Sequence, residues 1–117
     1  MTLGQKQRVF TRLVAELIKH AYWLGYELTL GDAYRSPQQA AANAAAGTGI
    51  RNSLHSQRLA IDLNLFKDGA YLADSAAHRP LGEFWESLST DEYRCCWGGR
   101  FSRPDGNHYS IENEGVR

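Results

Sequence analysis

Two short segments concentrate the side chains that metal and acid–base chemistry need: Ser53-Leu54-His55-Ser56-Gln57-Arg58-Leu59-Ala60-Ile61-Asp62 and Asp105-Gly106-Asn107-His108. An imidazole and a carboxylate brought together suit Zn²⁺, whose bonds to such ligands are about 2.0–2.2 Å long. If His55, Asp62 and His108 ligate zinc, a fourth position stays open, as a catalytic site requires. Asp105 then stands where a carboxylate can take a proton from water. A third segment, Gly31-Asp32-Ala33-Tyr34-Arg35-Ser36, carries a guanidinium able to clamp a carboxylate or carbonyl oxygen through paired N–H bonds. Taken singly, each of these residues reads at least as well as an ordinary solvated side chain.

Other chemistries lack their signatures. The chain has no G-x-G-x-x-G, no G-x-x-x-x-G-K-[ST], no G-x-S-x-G and no H-E-x-x-H. Gly47-Thr48-Gly49 is too short a glycine run for a nucleotide site. Cys95 and Cys96 are adjacent. Their Cα atoms, about 3.8 Å apart, lie closer than the usual disulfide range of about 4.4–6.8 Å. That excludes a disulfide scaffold and favours small residues packed beside Trp97. His20 lies at the margin of an apolar helix face and reads as structural, and His78 reads as a solvated loop residue.

The elements that must position these groups follow from pattern. Thr2 and Gln5 form a capping box, and Phe10, Leu13, Val14, Leu17, Ile18, Ala21 and Leu24 recur at helical spacing up to Gly25. A strand is expected from Glu27 to Tyr34, and a helix opened by Ser36-Pro37 runs through the Ala-rich stretch to Gly47. Gly47 to Asn52 reads as loop. Leu59 to Phe66 alternates, with Leu59, Ile61, Leu63 and Leu65 on one face and Ala60, Asp62 and Asn64 on the other. Asp62 is thereby excluded from the aliphatic core. His55, seven residues earlier, would point the opposite way on one continuous strand, so the loop before Leu59 must bend if the two share a metal. Lys67-Asp68-Gly69-Ala70 is a hairpin turn, Pro80 to Leu88 a short helix, and Trp97 to Phe101 and His108 to Ile111 are strands. The reading is a single α+β domain over residues 1–117, with helices packed on a small, mostly antiparallel sheet.

Composition narrows the partners. The 117 residues are 43% hydrophobic and 22% charged, as in a folded globular protein. Thirteen basic and thirteen acidic side chains cancel, so no surplus charge favours nucleic acid. No apolar run approaches the roughly 18 residues of a membrane span. Met1-Thr2-Leu3-Gly4-Gln5-Lys6 lacks the basic-then-apolar order of a signal peptide, so synthesis in the cytoplasm is expected. A monomer is expected as well.

Together the segments resemble the zinc D-alanyl-D-alanine peptidase family, within the wider group that holds lysostaphin-type peptidases and the hedgehog signalling domain. The pattern S-x-H-x-x-G-x-A-x-D is met by Ser53, His55, Ala60 and Asp62, and D/E-x-x-H by Asp105 and His108. Trp97, Gly98, Gly99 and Tyr109 supply its W-G-G and H-[FY] context, and Tyr34, Arg35 and Ser36 its Tyr-Arg-Ser element. Arg58 stands where the pattern has glycine, which marks either a changed turn or a subfamily in which Arg58 faces the cleft.

The resemblance implies a hedgehog/DD-peptidase-like fold, Zn²⁺ on His55, Asp62 and His108, and catalytic roles for Asp105 and Arg35. It implies substrate contacts from Arg35, Ser53 and Arg58. Aspartate at the base position is most similar to phage L-alanyl-D-glutamate endopeptidases. These endolysins cut peptidoglycan stem peptides in the cell wall after a holin opens the membrane. A D-alanyl-D-alanine carboxypeptidase or dipeptidase, and a non-catalytic zinc module, are the competing readings.

Overall fold

In the computed structural model, which describes residues 1–47 and 53–117, the capping box opens helix α1 (Leu3–Trp23). The Thr2 hydroxyl accepts the Gln5 N–H and the Gln5 side chain accepts the Thr2 N–H. The helical stripe buries Phe10, Leu13, Leu17 and Ala21, and each large side chain contributes about 1.5–3 kcal/mol. Strand β1 (Glu27–Leu30) is shorter than the expected Glu27–Tyr34. Gly31 and Asp32 still bond to the Asp62 backbone, but the chain then leaves the sheet to start helix α2 (Pro37–Ala45). There the Ser36 hydroxyl accepts the Gln39 N–H. Of the expected loop after α2, residues 48–52 lie outside the described residues.

Strand β2 (Ala60–Lys67) is the centre of the fold. It turns through Asp68 and Gly69, at φ 51° and 80°, into strand β3 (Ala70–Leu72). Two consecutive left-handed residues are what a type I′ hairpin needs, and aspartate and glycine tolerate them best. A 3-10 turn (Ser75–His78) leads into helix α3 (Arg79–Ser87), followed by strand β4 (Cys95–Trp97) and strand β5 (His108–Ile111). The expected strand Trp97–Phe101 stops at Trp97. Gly98–Arg100 forms a 3-10 turn, and the Trp97 indole donates to the Gly106 carbonyl across the loop, at 2.7 Å.

All strand pairs are antiparallel, in the order β1-β2-β5-β4, with β3 also paired to β2. Helices α1 and α3 join over the sheet through edge-to-face contacts of Phe10 with Trp85 and of Trp85 with Tyr109, at 5.7 and 6.2 Å. The Trp85 indole donates to the Ser110 carbonyl. This is the expected α+β class. Cys95 and Cys96 are buried free thiols beside Trp97. His20 stacks on Phe84 at 3.8 Å. His78 corrects the sequence reading: the turn before α3 folds it inward, where it is 2% exposed and bonds to the Tyr109 hydroxyl at 2.8 Å.

Candidate metal centre

The bend demanded between His55 and Asp62 is a 3-10 turn, Leu54–Gln57, closed by Arg58 in the left-handed region at φ 55°. The buried Ser53 hydroxyl accepts the His55 N–H, and the Leu59 N–H returns to the Leu54 carbonyl. The turn absorbs the odd residue, so His55 and Asp62 face the same side. Asp62 sits between two neighbouring segments. Its N–H donates to the Asp32 carbonyl, its own carbonyl accepts from Gly31, and His108 is its register partner on β5.

Three donor atoms converge here, all within 4.8 Å of one another. Asp62 Oδ1 lies 3.4 Å from His55 Nε2 and 3.7 Å from His108 Nδ1. Ligand bonds of about 2.0–2.1 Å in a tetrahedron imply donor–donor edges of about 3.4 Å, so the spacing suits a shared cation better than direct hydrogen bonds. Asp62 Oδ1 is also buried without a hydrogen-bond partner among the described residues. Burial by itself would raise the Asp62 carboxyl. The imidazoles of His108 and His55 outweigh it and hold the group well below the usual carboxylate range. Two imidazoles and one ionised carboxylate are a donor set that zinc accepts.

Asp105 is set beside this cluster by its backbone. Its N–H donates to the Gly98 carbonyl and its carbonyl accepts from the His108 N–H, at 2.9 and 3.1 Å. Gly98 is needed there, because a Cβ would strike the Asp105 carbonyl and come within 2.8 Å of His108 Cβ. Although the side chain is exposed, partial burial and then the negative Asp62 push the Asp105 carboxyl upward. His108, His55 and Arg35 oppose that shift. A carboxylate with a raised pKa is a better proton acceptor.

Arg35 reaches the same neighbourhood from the loop after β1. One terminal nitrogen pairs with Asp32 at 2.9 Å, and Nε is buried without a hydrogen-bond partner among the described residues. The Ser53 side chain faces the His55 backbone and is 4% exposed. Arg58 is exposed and lays its guanidinium 4.2 Å from the Tyr34 ring centroid. One neighbour had no signal in the sequence: Phe101, whose ring lies 5.3 Å from that of His108. Only closure of the loop between β4 and β5 brings those two together.

A family model described as D-alanyl-D-alanine carboxypeptidase matches residues 46–111, more than half of the chain. Among solved structures, the L-Ala D-Glu endopeptidase ChiX of Serratia marcescens is similar at a TM-score of 0.68 and 15% sequence identity. The match covers 93% of this chain and 85% of that one. No curated protein sequence matches.

Proposed function

Because the chain belongs to the D-alanyl-D-alanine carboxypeptidase family and is a peptidase, we propose that it is a zinc-dependent enzyme cleaving peptidoglycan stem peptides at the L-alanyl–D-glutamate bond. The observation that carries the metal is Asp62 Oδ1, buried and facing His55 Nε2 and His108 Nδ1 at tetrahedral spacing. The bond assignment is supported by the fold shared with an L-Ala D-Glu endopeptidase and by aspartate at position 105.

His55, Asp62 and His108 would hold a zinc ion, which when bound would supply Lewis acidity toward the scissile carbonyl and toward water. Asp105 accepts, on a carboxylate oxygen, the proton that the attacking water loses. It then delivers that proton to the leaving amine. Arg35 holds a carbonyl or carboxylate oxygen of the peptide, while its bond to Asp32 fixes the side chain for that task. Ser53 sets the turn that aims His55, and Arg58 lines the rim through its stack on Tyr34. In this reading the protein acts as a phage or prophage endolysin on the cell wall, reaching it through a holin-type opening. No helix among the described residues is long and apolar enough to cross a membrane.

A second reading, removal of terminal D-alanine, is favoured by the description of the matching family model. Digestion of purified peptidoglycan with mass spectrometry of the new termini separates the two. Endopeptidase action exposes N-terminal D-glutamate and clears wall suspensions. Release of free D-alanine without clearing replaces the first reading by the second.

A further inference from the structure

Positive charge is unevenly placed on this electrically neutral chain. Arg94, Arg100, Arg103 and Arg117 line two adjoining clefts of about 290 and 470 Å³. Phe101 and Arg117 form part of both walls, so the two make one groove. Glu86 is the acid in that wall, and both its oxygens are engaged by Arg100, at 3.0 and 3.1 Å. Glu83 reaches the same guanidinium. Arg94, Arg103 and Arg117 are exposed and have no carboxylate partner among the described residues.

Phe101 joins this groove to the metal centre. Its ring lies 5.3 Å from the His108 ring, and the Arg117 guanidinium lies 5.4 Å from the Phe101 centroid. Arg117 therefore stands within two such steps of the His108 imidazole, a span that about three residues of extended peptide cover. Sheet order adds direction. In β1-β2-β5-β4 the candidate ligands Asp62 and His108 lie on the central pair. Arg35 comes from the loop after β1, and Phe101 and Arg103 from the loop after β4. Arg35 and the Phe101–Arg117 groove thus come from opposite edges of the sheet, with the centre between them.

We infer that the Phe101–Arg117 groove is a subsite for the carboxylates of an acidic peptide segment that continues from the scissile bond. Guanidinium groups without carboxylate partners take a carboxylate through two parallel N–H bonds and break no ion pair to do so. Phe101 shields one side of the contact from water, which strengthens it. The inference rests on the peptidase reading above.

The test uses zinc-loaded protein and a synthetic peptide holding the L-Ala–D-Glu bond, with its carboxylates either free or amidated. In the double variant Arg94→Gln/Arg117→Gln the preference for the free acid, as a ratio of kcat/KM values, should fall about tenfold, mainly through KM. An unchanged preference overturns the subsite. Binding of an uncleavable analogue, with the scissile amide replaced by a methylene ether, is followed in parallel by NMR shifts of the Phe101 and Cys96 amides. If neither peptide is cut, the peptidase reading fails, and the analogue still decides the subsite. Binding about tenfold weaker in the double variant upholds it, and equal binding overturns it.

Discussion

Asp62 and His108 face each other across the β2–β5 pair, and that register holds Asp62 Oδ1 3.7 Å from His108 Nδ1. A one-residue slip of β5 would turn His108 into the core and Tyr109 toward the cluster. The buried Tyr109, bonded to His78, resists that slip. Core packing and the geometry of the candidate ligand cluster are therefore one constraint.

Zinc content should be close to one ion per chain, with activity lost to chelator and restored by Zn²⁺. Zinc at a hundredfold excess over its Kd should raise stability by about 2.7 kcal/mol. His55→Ala and His108→Ala should abolish that gain in thermal melts, whereas His20→Ala should keep it. A zinc-independent melting temperature in the wild type refutes the site.

Asp105→Ala should keep the metal and the fold and lower kcat by about 10²- to 10⁴-fold, with little change in KM. Asp105→Glu should recover part of the rate if the loop at Gly106 adjusts. Steady-state kinetics beside metal analysis reads both. Loss of zinc in Asp105→Ala would make the residue a ligand instead.

Gly98→Ala should damage stability and metal binding together, because the added methyl meets the Asp105 carbonyl and His108 Cβ. Overpacking of this kind costs about 1–3 kcal/mol. Urea unfolding and a zinc titration should both shift. A variant as stable and as zinc-avid as the wild type would show that the loop yields freely.

Burial lowers His78 to about 4 in the folded chain, from an ordinary value of 6.5. The unfolded chain therefore binds the extra proton first, and stability falls as pH drops from 6.5 toward 4. The loss is at most about 3 kcal/mol. Unfolding of metal-free protein across that window should show it, and His78→Gln should flatten the profile. Equal slopes for the two proteins would assign the acid sensitivity to other groups.

Arg58→Gly should change stability by less than about 1 kcal/mol. Relief of the left-handed backbone is worth about 1 kcal/mol. It is offset by the lost Tyr34 stack, about 0.5–1 kcal/mol at an exposed site, and by the backbone freedom of glycine. Arg58→Val loses the same stack and adds a β-branched side chain in a left-handed conformation, so its melting temperature should fall clearly below both.

The elements of this protein were readable locally, because their causes are local. The Thr2–Gln5 capping box, the Phe10–Ala21 stripe, the Asp68-Gly69 hairpin and the alternation that turns Asp62 out of the core all depend on neighbours a few residues away. The residue types at 55, 62, 105 and 108 likewise pointed to metal and proton chemistry. What only the tertiary structure decided is distance between segments far apart in the chain. The turn at Arg58 aligns His55 with Asp62, the β2–β5 register brings His108 opposite, and loop closure over Gly98 places Asp105 and Phe101 beside it. The burial of His78 belongs to the same class, since its partner Tyr109 lies 31 residues away. Spacing along a chain sets which face a side chain takes, whereas packing of the whole core sets what it meets there.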